Sequence, residues 1–96
     1  DRTWQETTRQ RLRQDSRRLA ELLTRHDLPP DGGCELFQWV RTPHALKMHD
    51  VLARQGVLTR HFEAVPSLRF GLPATTEDWQ RLEAVLGSVQ LREVVA

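Results

Sequence analysis

Arginine dominates the chemistry available to this chain. Of its 14 basic residues, thirteen are Arg and one, Lys47, is Lys. A guanidinium stays protonated and cannot act as an amine nucleophile, so Lys47 is the single side-chain candidate for amine chemistry. What a guanidinium does well is present a planar fork of N–H donors to a carboxylate or a phosphate. Arg60 and Arg69 are the two so placed that this matters. Each lies within or at the end of a short apolar run, Gly56-Val57-Leu58-Thr59-Arg60-His61-Phe62 and Ser67-Leu68-Arg69-Phe70-Gly71-Leu72. A guanidinium desolvated there without a partner is costly. An anionic ligand would remove that cost. So would an edge-strand position open to water, or a pair with Glu35 or Glu63, and the residues alone leave these alternatives open.

The remaining reactive residues form no constellation. His44 and His49 stand five apart on one helix and point in different directions, with no Cys or Glu to complete a metal set. No metal site is therefore expected, and His49, on an apolar stripe, reads as a core or interface residue. Cys34 opens a strand and reads as buried packing, since no adjacent residue would activate its thiol. No Gly-rich phosphate loop follows a strand, no Ser/His/Asp ordering stands out, and tyrosine is absent. No residue of the chain is expected to be catalytic. Arg9, Arg11, Arg13, Arg17 and Arg18 could form a nucleic-acid face, but Asp15 and the flanking Glu residues dilute it and no aromatic residues interleave. Trp4, Trp39 and Trp79 read as core or domain contacts.

The elements that would carry these residues follow from periodicity and punctuation. Residues 1–27 read as one long helix, with Trp4, Leu12, Leu19, Leu22, Leu23 and His26 at helical spacing and a stripe thin before Leu19. Pro29-Pro30 and Gly32-Gly33 end it in a turn. Cys34 to Arg41 reads as a strand, with Phe37 and Trp39 on one face, Leu36 and Val40 on the other, and both faces covered. Thr42-Pro43 opens a second helix striped by Ala45, Leu46, His49, Leu52 and Ala53, closed by a left-handed Gly56. Two further strands follow, Gly56 to Phe62 and Ser67 to Leu72. Thr75 and Asp78 then make a capping box for a last helix burying Trp79, Leu82, Leu86 and Val89, with Gly87 a break. The order is α-β-α-β-β-α. The fold class is α+β: a small mixed sheet of about three strands, the first two parallel, with helices packed on it.

The 96 residues fit one domain, 1–96. A net charge of +1 supplies no field for nucleic acid or an anionic membrane, and no apolar run approaches the ~20 residues of a membrane span. One cysteine cannot form an internal disulfide, which fits a cytoplasmic protein. The chain begins at Asp1 without Met and reads as a segment of a longer polypeptide.

Three stretches carry a resemblance: Gly32-Gly33-Cys34-Glu35-Leu36-Phe37-Gln38-Trp39-Val40, Gly56-Val57-Leu58-Thr59-Arg60, and Ser67-Leu68-Arg69-Phe70-Gly71-Leu72-Pro73. In order and spacing, from Trp4 to about Leu86, the chain resembles the end of the threonine-phosphate decarboxylases of cobalamin biosynthesis. These are pyridoxal-phosphate enzymes of the class I/II aminotransferase fold. The last two stretches also resemble histidinol-phosphate aminotransferases, which leaves such an aminotransferase as an alternative; a stand-alone binding domain is another. The resemblance implies a C-terminal small domain, its long first helix linking to an absent large domain. That large domain would hold pyridoxal 5′-phosphate on its own lysine, with the cofactor acting as the electron sink. The substrate implied is an amino-acid phosphate, L-threonine O-3-phosphate, whose decarboxylation gives 1-amino-2-propanol O-phosphate. Arg69 would hold the substrate carboxylate and Arg60 the phosphate, and the intact enzyme would be a homodimer. Lys47 does not fall where that family places its cofactor lysine. With tyrosine also absent, the fragment alone is expected to be inactive and to bind no cofactor.

Overall fold

The helices form where apolar spacing and end signals agree. A computed structural model describes residues 2–95. The first helix, α1, runs Arg2–Arg25 and buries Leu19, Leu22 and Leu23 at its C-terminal end. Asp27 stops it in a left-handed conformation, φ 61°, while Leu28 N–H donates to Leu23 O at 2.9 Å. That return bond satisfies a terminal carbonyl and drops Leu28 into the core. Asp27 thus ends the helix ahead of the Pro29-Pro30 turn. Near the other end of α1, Trp4, expected to be a core or domain contact, is 68% exposed.

Gly32–Gly33 form a short strand, β1, which pairs antiparallel with β2, Phe37–Arg41. Cys34 N–H donates to Phe37 O at 2.9 Å and closes the hairpin. Gly33 is required here, because a Cβ would stand 2.6 Å from Gln38 Oε1 and 2.7 Å from Phe37 O. Gln38 Nε2 donates to Ser16 Oγ at 2.7 Å, and Ser16 Oγ donates to Cys34 O at 2.9 Å. These bonds tie the hairpin to α1. They also make Cys34 a hairpin residue that is exposed, not buried as expected.

The second helix, α2, covers Ala45–Arg54, with Thr42 and Pro43 forming the turn ahead of it. His44 takes the cap position, its N–H donating to Thr42 Oγ1 at 3.1 Å. Met48 joins Ala45 and Leu52 in the core, whereas Leu46 and Ala53 face outward. Gly56, at φ +84°, closes the helix in the left-handed conformation expected of it.

The strand β3 is confined to Arg60–Phe62, and β4 spans Ser67–Gly71. Thr75 caps α3, Thr76–Leu86, its Oγ1 accepting from Asp78 N–H at 3.1 Å. Gly87 does break the helix. Ser88 then accepts from Leu91 N–H and starts a fourth helix, α4, Val89–Val95, which buries Leu91 and leaves Val89 exposed.

The class is α+β, with two corrections. The sheet has four strands, not three, because Gly32-Gly33 supplies a strand as well as a turn. Its order is β1-β2-β4-β3 and every neighbouring pair is antiparallel. Strands β2 and β3 do run in the same direction. The later strand β4 lies between them, so the parallel pair of the expected mixed sheet never forms.

Pleating divides the sheet into two unlike faces. Val40, Leu68 and Phe70 point one way and join Leu19, Leu23, Met48, Leu52, Trp79, Leu82 and Leu91 in the core, so all four helices pack there. Phe37, Trp39, Arg41, Arg60, Phe62 and Arg69 point the other way and are half-buried or exposed. The expected cover on both faces of β2 is present on one only.

Candidate anion-binding site

Register decides the site. Arg60 on β3 stands directly opposite Arg69 on β4, and Arg69 in turn stands opposite Trp39 on β2. Directly paired residues project to the same side of a sheet. Both guanidinium groups therefore rise from the face the helices leave open. They share a shallow concavity of roughly 500 Å³ lined by Phe37, Thr59, Arg60, Arg69 and Gly71, with exposed Leu36 and Leu58 also on its walls.

Aromatic rings hold the arginines in place. The Arg69 guanidinium carbon lies 4.5 Å from the centre of the Phe37 ring and 5.7 Å from that of Phe62. Arg60 lies 5.4 Å from Phe62. Phe62 thus lies against both cations. Ring faces attract cations without using any of their N–H donors, which remain available to a ligand.

Among the described residues, no carboxylate neutralises the pair. The ion pairs present there are Arg13 with Glu35 at 3.1 Å and Arg81 with Asp78 at 3.3 Å. Glu35, one alternative partner for these arginines, is therefore committed to α1, and Glu63, the other, takes part in neither pair. Like charges directly opposite on neighbouring strands are destabilising. Arg60, exposed on the edge strand, is open to water, whereas Arg69 is half-buried.

The other residues singled out by type and spacing do not converge here, as chemistry would require. Lys47 is exposed on α2. That helix packs against the covered face through Met48 and Leu52, so Lys47 lies across the sheet from Arg60 and Arg69. His49 bonds to Thr59, Nδ1 to Oγ1 2.8 Å, and lies near His61 with ring centres 6.0 Å apart. No group of His, Cys, Asp or Glu suited to a metal ion occurs among the described residues. Arg18 stacks on Trp79 at 4.0 Å, a packing role for one member of the Arg-rich segment. No described helix is long and apolar enough to cross a membrane.

Sequence reasoning missed the ring partners. Phe37 and Phe62 stand out only as apolar residues of two strands, and their association with Arg69 depends on a register that spacing does not reveal. The available signal is the alternation Phe37, Trp39, Arg41, which matches Arg60 and Phe62 once the strands are paired.

No protein-family model matches the chain, and no solved structure matches it. It is similar to the threonine-phosphate decarboxylase of Pseudomonas aeruginosa, being 52% identical over 86 residues, which is 90% of this chain and 26% of that protein. The chain thus spans about a quarter of the length of that relative, and the resemblance read from its strands is borne out.

Proposed function

We propose that this chain, homologous over nine-tenths of its length to a threonine-phosphate decarboxylase, is the C-terminal small domain of such an enzyme and supplies its substrate-anchoring arginines. The observation that carries the reading is the Arg60–Arg69 cross-strand pair, which has no carboxylate partner among the described residues and rises from an uncovered sheet face. L-Threonine O-3-phosphate offers the complementary pair of charged ends. Arg69, flanked by two rings, takes the carboxylate in a bidentate fork; Arg60, nearer the rim, takes the phosphate. Phe37 and Phe62 restrict the guanidinium groups, and at half-buried Arg69 they exclude part of the water, which strengthens its charged contact.

In this reading pyridoxal phosphate is held outside this chain. Its single lysine lies across the sheet from the arginines, so the cofactor and its lysine would belong to the large domain of the enzyme. The chain by itself binds and orients. It has no decarboxylase activity alone. The intact enzyme is a cytoplasmic homodimer in this reading, and the open sheet face turns toward the large domain.

The test is Arg69→Ala in the complete enzyme. We expect kcat/KM for threonine phosphate to fall by on the order of 2–5 kcal/mol, as when one partner of a desolvated charge pair is removed. Arg69→Lys restores the charge without the fork and recovers part of the loss. A change within about twofold, roughly 0.4 kcal/mol, would mean that Arg69 does not hold the carboxylate. Assaying CO2 release against amino-group transfer separates the decarboxylase from an aminotransferase of the histidinol-phosphate type.

A further inference from the structure

Arg60 occupies an insecure position for a residue that must present a charge accurately. It is the first residue of β3, a strand of three residues at the sheet edge, paired on one side only. Ahead of it, Val57 N–H donates to Leu52 O at 2.8 Å, and the chain then passes through Leu58, 83% exposed, to Thr59. Short edge segments of this kind fray readily.

One side chain braces this end. His49, half-buried on α2, meets Thr59 Oγ1 through Nδ1 at 2.8 Å. Either Nδ1–H donates to the hydroxyl or the hydroxyl donates to Nδ1, according to the tautomer. The same imidazole lies near the ring of His61, centre to centre 6.0 Å and tilted by 35°. His49 therefore meets the residues immediately before and after Arg60. The bond to α2 turns the Thr59 hydroxyl toward the helix side, although Thr59 also borders the concavity. Alternation along β3 puts His61 on the helix side and the Arg60 guanidinium on the open side.

We propose that His49 is a positioning residue for the phosphate-binding arginine, acting through Thr59 across the thickness of the sheet. Helix α2 is anchored in the core by Met48 and Leu52, both fully buried. The His49–Thr59 bond transfers that rigidity to the strand end, so Arg60 meets the phosphate with its backbone already fixed. Without it, the segment must be ordered each time substrate binds, and apparent affinity falls by the fraction of time the strand end is out of place. The inference rests on the assignment of Arg60 to the phosphate.

Thr59→Val in the complete enzyme is the informative variant, because it keeps shape and removes only the hydroxyl. Losing one such hydrogen bond should raise KM for threonine phosphate by about three- to tenfold, with kcat changed less than about twofold, as when binding alone is weakened. Amide hydrogen exchange at Arg60 should accelerate, and Thr59→Ser should restore both readouts. In an Arg60→Ala background, Thr59→Val should add nothing further to KM. A Thr59→Val enzyme with unchanged KM, alongside an Arg60→Ala enzyme with raised KM, would overturn the brace and leave the phosphate assignment standing. A Thr59 effect that persists without Arg60 would make the bond a generic stability contact and likewise overturn it. Arg60→Ala with no effect on KM would remove the phosphate assignment, and this inference with it.

Discussion

The two faces of this sheet are built from the same strands at the same period, yet they solve different problems. On the helix side, Val40, Leu68 and Phe70 are at most 2% exposed and meet apolar residues from four helices. On the open side, three aromatic rings alternate with three arginines, and these arginines meet ring faces with no acidic partner among the described residues. The first face is complete within the chain. The second carries three arginines with no counter-charge among the described residues. Core packing and an open, cationic face are thus separated by one residue of register along each strand.

Mutations on the two faces should therefore differ in size and even in sign. The largest effect is expected on the covered side: Phe70→Ala should lower the unfolding free energy by about 3–5 kcal/mol, since a deleted core ring leaves a cavity, as urea denaturation of the chain would show. Phe37→Ala on the open side loses a ring–cation contact at a half-buried site, so the same measurement should give a loss on the order of 1 kcal/mol. Equal losses at the two positions would mean that the open face is as much a part of the core as the covered one. The smallest effect is the most diagnostic. Arg60→Gln removes one of two like charges facing each other across the ladder, and should stabilise the free chain by roughly 0.2–1 kcal/mol. A clear loss of stability there would show that the pair is already satisfied within the chain.

The fold is legible from residue order where a local rule has a single outcome. Thr75 with Asp78 marks the start of α3, and Gly56 marks the left-handed end of α2, because cap and turn geometry depend on a few neighbouring residues. It is less legible where two outcomes share one signal. Gly32-Gly33 has the composition of a turn and serves as a strand as well; Cys34 has the neighbours of a buried strand residue and sits instead on the exposed hairpin. Leu46 and Met48 are both apolar, and which of them faces the core depends on where the sheet lies against α2. Arg60 and Arg69 stand out in any linear reading, since charge within an apolar run is visible there. Their partners do not, because Phe37 and His49 lie on other elements and Phe62, on β3 with Arg60, reaches Arg69 only across the ladder.

Residue identity and order were enough to establish the α+β class, the left-handed end of α2, the start of α3, the single lysine and the family resemblance. All of these follow from local chemistry or from which residues succeed one another. None of it foretells that β4 enters between β2 and β3, and hence that Arg60 faces Arg69 on the side no helix covers; that belongs to the packed chain. The physical reason is that strand order and register are set by long-range burial. Leu68 and Phe70 must reach the helices, and the pleat then turns Arg69 away from them.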